Sequence, residues 1–127
     1  MANKTARSRD AAILIIDDDA GSRKALAEVL SDEGYTVATV SDGAEGLGYL
    51  RDGHRPRVIL LDLMMPGVDG WDFRAEQKRD PELAQIPVIA ISAAGKLLDA
   101  EYSLRKPIAI ESLLKLLRSA GAQTSHT

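Results

Sequence analysis

Residues 57–71 read RVILLDLMMPGVDGW. Val58 to Leu61 are aliphatic without a polar interruption, which predicts a strand covered on both faces rather than one with a solvated side. The run ends at Asp62. MMPGVDG then predicts a turn, and Asp69 is expected to cap a helix over GWDFRAEQKRD. A strand buried on both faces that feeds a turn and a helix is the repeating unit of a parallel α/β sheet.

The same unit recurs on both sides of this stretch. AAILIID (11–17) is another continuous apolar run, and IPVIAIS (86–92) a third. YTVATV (35–40) is a strand candidate, and YSLRKP (102–107) begins a fifth. Between them lie helical patterns. In AGSRKALAEVLSDEG (20–34), Ala25, Leu26, Val29 and Leu30 form one stripe, and Gly34 stops the helix. DGAEGLGYLRDG (42–53) is a weaker helix with Leu47 and Leu50 as anchors, and IAIESLLKLLRSA (108–120) is strongly amphipathic at 110, 113, 114 and 117. The alternation predicts a parallel sheet with helices on both faces. Ligands of such sheets bind beyond the carboxyl ends of the strands, at the switch point in strand order.

The residues expected at those ends are Asp17-Asp18-Asp19, Asp62, Ser92 and Lys106. Singly, each has an ordinary structural reading: a solvated acidic loop, a helix cap, a turn residue or an exposed lysine. Together on one edge they become chemistry. Converging carboxylates repel one another unless a cation joins them. Oxygen donors without His or Cys point to Mg²⁺ rather than Zn²⁺. A metal, a lysine and a hydroxyl around an aspartate suit phosphoryl transfer onto that carboxylate.

With these motifs in order, residues 11–120 resemble the receiver domain of bacterial two-component response regulators. The similarity rests on ILIIDDD, VILLDLMMPGVDGW, IPVIAIS and RKP. It implies a doubly wound, flavodoxin-like fold with five parallel strands in the order 2-1-3-4-5. It also implies that Asp62 is the phospho-acceptor, and that Asp17 and Asp18 bind Mg²⁺ with Asp62 and the main-chain carbonyl of Met64. Ser92 matches the hydroxyl residue that closes on the phosphate, and Lys106 the phosphate-binding lysine, whose bond to Pro107 is cis in the family. Asp19 reads as a loop or cap residue, Trp71 as a packing residue, and Pro66, Gly67 and Ala93 as loop-shaping. Met64 and Ala94 offer no side chain to orient an attacking water, so slow-to-moderate self-dephosphorylation is expected. The implied partners are a histidine kinase or histidine phosphotransfer protein and a downstream protein target, with room for a weak homodimer.

Other classes fit less well. A small Mg²⁺-dependent phosphohydrolase wants a second acid two residues after the nucleophile, where Met64 stands. A flavin mononucleotide binder wants a Ser/Thr/Gly-rich phosphate loop, and DDDAGS is acidic. A receiver-like binding module that is never phosphorylated would not need the full set of site residues.

Composition agrees. The 127 residues carry 16 basic and 19 acidic side chains, a net charge of −3, so no polyanion partner such as nucleic acid is indicated. No apolar stretch approaches a membrane span, and MANKTARSRD lacks the apolar core of a secretion signal. The absence of cysteine suits a reducing cytoplasm. Residues 1–10 are expected to be a flexible tail, 11–120 the receiver domain and 121–127 a short tail. A stand-alone regulator, a phosphorelay intermediate and an excised domain all fit that organisation.

One segment departs from the family's pattern. SAAGKLLDAEYSLRKP (92–107) joins two expected site residues with about two helical turns fewer than usual. The fourth helix, between the fourth and fifth strands, is therefore expected to be short or irregular. The position three before Lys106, where the family places a switch aromatic, is Ser103, with Tyr102 one place earlier. Either a bulge restores Tyr102 or that coupling is absent.

Overall fold

The computed structural model describes residues 11–63, 69–92 and 100–122. Its strands are β1 (Ile13–Ile16), β2 (Val37–Val40), β3 (Val58–Asp62), β4 (Val88–Ser92) and β5 (Tyr102–Arg105). Its helices are α1 (Ala20–Asp32), α2 (Gly43–Arg51), α3 (Asp69–Arg79), the single turn α4 (Pro81–Ala84) and α5 (Ile110–Ser119). The five strands form one sheet in the order β2-β1-β3-β4-β5 with every neighbouring pair parallel. This is the doubly wound, flavodoxin-like arrangement expected from the sequence. The expected fourth helix falls within 93–99, outside the described residues, as do Met64, Pro66, Gly67, Ala93 and Ala94. The turn α4 was not foreseen; Asp80 caps it by accepting from the Glu82 N–H at 3.0 Å.

Strand alternation splits the core in two. On one face Ile13 and Ile15 of β1, Val58 and Leu60 of β3 and Ile89 and Ile91 of β4 pack with Leu30 of α1 and Leu113 and Leu117 of α5. On the other, Leu14, Ile16, Ile59, Leu61 and Val88 pack with Leu50 of α2, Phe73 of α3 and Leu83 of α4. All residues of β1, β3 and β4 are buried, which explains why these strands read as unbroken apolar runs. The edge strand β5 alternates between half-buried and exposed residues.

The helix ends follow local chemistry. Asp19 is the N-cap of α1, its Oδ2 accepting from the Ser22 N–H at 2.7 Å, as its cap reading anticipated. At α2 the Asp42 side chain accepts from the Glu45 N–H at 2.8 Å, and Glu45 reaches back to the Ser41 N–H at 2.7 Å, a capping box one residue out of its usual frame. Gly34 ends α1 with φ +100°, a left-handed conformation that a side chain would resist. Two details differ from expectation. Ala25 is exposed rather than part of the buried stripe of α1. Trp71, expected to pack, is 38% exposed at the start of α3.

Candidate functional site

Strand order reverses between β1 and β3, because the chain leaves β1 outward to β2 and returns across it. The carboxyl ends of β1 and β3 therefore border the crevice where such sheets bind ligands. Asp17 follows β1 and Asp62 ends β3. Both are 4% exposed although charged.

Alternation also sets which way they face. Asp17 and Asp62 continue the odd series of β1 and the even series of β3, both of which point toward α1 and α5. Lys106 continues the Tyr102–Leu104 series of β5, which packs on the same side. The three meet: Lys106 Nζ lies 3.1 Å from Asp62 Oδ2. They form part of the lining of an open pocket of about 290 Å³, with Ser22, Leu26 and Val29 of α1 on one side and Pro107, Ile108 and Ile110 on the other. Ser92 ends β4 and is buried. It is the next residue after Ile91, the partner of Asp62 in the ladder, and its carbonyl accepts from the Lys106 N–H at 2.9 Å. The peptide bond between Lys106 and Pro107 is cis, as the resemblance implied.

The electrostatics match this crowding. Burial pushes the Asp17 carboxyl above its ordinary value of 3.8. The hydrogen bond from the Asp19 N–H opposes that, the charge of Asp62 adds to it, and Lys106 pulls it back down. Asp18 stands exposed at the rim. Among the described residues, Asp17 and Asp62 are the buried carboxylates of this edge. The donors present are all carboxylate oxygens, the kind Mg²⁺ takes, and a divalent cation would relieve the repulsion between the two buried carboxylates. Met64, whose carbonyl completes the set implied by the resemblance, lies outside the described residues.

Two features of this edge were not read from the sequence. Arg23 of α1 reaches back six residues, Nη1 donating to the Asp17 carbonyl at 2.7 Å, and so ties the β1–α1 turn to the helix. A return over that distance has no short-range signature. The direction that Tyr102 faces follows from register. β4 and β5 pair without a bulge from Ile89↔Tyr102 to Ser92↔Arg105. Tyr102 packs on the α5 side, its hydroxyl donating to the Ser119 carbonyl at 3.2 Å, and Ser103 is exposed on the opposite side of the strand.

Comparison with known proteins agrees with this geometry. The family model for the response regulator receiver domain matches residues 13–118. The protein PilH of Pseudomonas aeruginosa is 32% identical over 120 residues, covering 88% of this chain and 98% of that protein. Response regulator MprA of a Mycobacterium species is 33% identical over 121 residues, covering 89% of this chain and 51% of that protein. The chain spans about half or less of the length of the first curated relatives it matches. Among solved structures, the chemotaxis protein CheY4 of Vibrio cholerae superposes with a TM-score of 0.76 at 28% identity, covering 85% of this chain and 96% of that one. No helix among the described residues is long and apolar enough to cross a membrane. A parallel 2-1-3-4-5 sheet, an aspartate–lysine pair at its switch point and a family match over most of the length together make this chain a member of the response regulator receiver domain family of two-component signalling.

Proposed function

We propose that Asp62 is the phospho-acceptor of this receiver, taking a phosphoryl group from the phosphohistidine of a histidine kinase or histidine phosphotransfer protein. The observation that carries this is the buried Asp62 carboxylate held 3.1 Å from Lys106 at the switch point, beside buried Asp17. An Asp62 oxygen attacks phosphorus as the phosphorus–nitrogen bond of the donor breaks. The bonding electrons stay on the imidazole nitrogen, which takes up a proton, and Asp62 becomes an acyl phosphate. On this reading Lys106 would balance charge on the transferred oxygens, and Ser92, at the end of the neighbouring strand, would supply a hydroxyl to one of them. Asp17, Asp18 and Asp62 would hold Mg²⁺, which when bound neutralises charge on the phosphoryl group. Modification changes charge at the carboxyl edge, and with it the surface offered to a downstream protein.

Incubation with acetyl phosphate and Mg²⁺, followed by intact mass measurement, tests this. Wild type should gain one hydroxylamine-labile phosphoryl group, and Asp62→Ala should gain none. Equal modification of both proteins would assign the phosphate elsewhere. An unmodified wild type would leave a receiver-like module that acts only by binding.

A further inference from the structure

β5 is an edge strand, and Lys106 follows directly after it. It has four residues, a single neighbouring strand, and side chains that alternate between half-buried and exposed. Its register rests on one half-buried face, that of Tyr102 and Leu104. A slip of one residue along β4 would carry Lys106 about 3.3 Å from its place and turn Tyr102 and Leu104 to the wrong face.

A polar chain at the opposite end of the strand bears on this. Glu101 immediately precedes β5. Its Oε1 accepts from the Val88 N–H at 2.8 Å, and its Oε2 lies 3.2 Å from Arg74 Nη2. Val88 precedes Ile89 just as Glu101 precedes Tyr102, the first ladder pair. The carboxylate thus extends the β4–β5 register by one step, with a side chain in place of backbone. Arg74 lies on α3 and is 4% exposed, and its Nη1 donates to Gln77 Oε1 at 2.9 Å. Gln77 is fully buried and donates to the carbonyls of Leu83 and Ile86 at 2.9 and 3.0 Å. The guanidinium is therefore fixed to the α3–α4 corner that leads into β4.

This chain of bonds is a costly way to fill its surroundings. It borders the cluster of Phe73, Leu83, Ile86 and Val88, where aliphatic side chains would pack without the cost of desolvating a charge. Fixing register is the best-attested use of buried polar groups that hydrophobic packing could replace. We infer that the Arg74–Glu101 pair, oriented by Gln77, pins the register of β5 against β4 and thereby positions Lys106 opposite Asp62. Arg74 and Glu101 are positioning residues: Glu101 stands just before β5, where it meets the Val88 N–H of β4, and Arg74 holds it from α3. The functional half of the inference rests on the proposed role of Asp62, and the structural half does not.

Two measurements on the full chain test it. Amide exchange by NMR compares Leu104 and Lys106 with Ile15 and Leu60, and the rate of Asp62 modification by acetyl phosphate is followed in parallel. Glu101→Ala and Arg74→Met should accelerate exchange in β5 by about tenfold relative to β1 and β3, because only the edge strand loosens. Both should also slow modification. Glu101→Gln keeps an acceptor for Val88 at a part-exposed position, so it should fold and show a smaller effect of the same sign. The double variant Arg74→Met/Glu101→Leu should recover the melting temperature through apolar packing but neither β5 protection nor the modification rate. Uniform acceleration across the sheet, or a double variant that restores the rate along with stability, would reduce the pair to a structural contact and overturn the inference. If wild type takes no phosphate while β5 exchange still rises selectively, the pin stands and the acceptor assignment fails.

Discussion

Replacing Lys106 by methionine probes the charge balance of the site most directly. The substitution preserves an unbranched apolar stem and deletes the ammonium 3.1 Å from Asp62 Oδ2. Coulomb's law at that separation gives about 5 kcal/mol at an effective dielectric of about 20, and about 1.3 kcal/mol at about 80. The Lys106 side chain is 34% exposed and that of Asp62 only 5%, so solvent screens one partner and not the other. The pair should then be worth about 2 kcal/mol, above a surface pair and below a fully buried one. In a domain of this size that loss lowers the melting temperature by roughly 6–10 °C. Thermal unfolding of metal-free protein at neutral pH measures it, with Asp62→Asn and the double variant completing a cycle. Asp62→Asn loses the same pair but relieves the repulsion on Asp17, so it should cost less than Lys106→Met. The cycle should return a coupling of about 2 kcal/mol between positions 106 and 62, and a value below about 0.5 kcal/mol would show that the ion pair does not govern the edge.

The α2 helix offers a matched pair of substitutions. A Cβ at Gly46 would stand 2.7 Å from Ile16 Cδ1 and 3.1 Å from Phe73 Cε1, both in the core, so Gly46→Ala should cost about 1–2 kcal/mol in chemical denaturation despite its better helix propensity. Gly48 has nothing within 4 Å of such a Cβ, and Gly48→Ala should stabilise by about 0.5–1 kcal/mol; equal effects at the two positions would refute the packing account. Removing the α2 cap with Asp42→Ala should cost about 1 kcal/mol, seen as a lower denaturation midpoint at unchanged slope. Acid should loosen β5 selectively. Burial pushes the Glu101 carboxyl up, but the Val88 N–H and Arg74 more than offset it and hold it below its ordinary 4.5. Its stabilisation is therefore complete above the ordinary value and lost as pH falls through the lowered one. β5 amide protection should drop over that acidic window in wild type but not in Glu101→Gln.

Much of this protein could be read without coordinates, for identifiable reasons. A strand buried on both faces must be apolar throughout, so β1, β3 and β4 announced themselves, and the carboxylates that ended the first two stood out by contrast. Ile110, Leu113, Leu114 and Leu117 recur at helical spacing, which marked α5 equally clearly. α3 is the counter-example. Its sequence, GWDFRAEQKRD, looks polar around its circumference, yet Phe73, Arg74 and Gln77 are buried while Trp71 is exposed. Periodicity cannot find a buried face built from an arginine and a glutamine, because their burial depends on partners 6 to 27 residues away.

The fold class, the five-strand order through its family motifs and the identity of the residues that end the strands are all legible in the amino-acid order, because hydrophobic alternation and strand-end chemistry are local properties. How those residues meet is set by the folded arrangement. It brought Asp17, Asp62 and Lys106 to one face of the edge and left Asp18 at the rim. It directed Tyr102 onto α5 through an unbulged register, and it joined Arg74 to Glu101, 27 residues apart in the chain. Each of these depends on strand register and on which face a side chain takes, which are fixed by contacts between segments far apart in the chain rather than by the residues within any one of them.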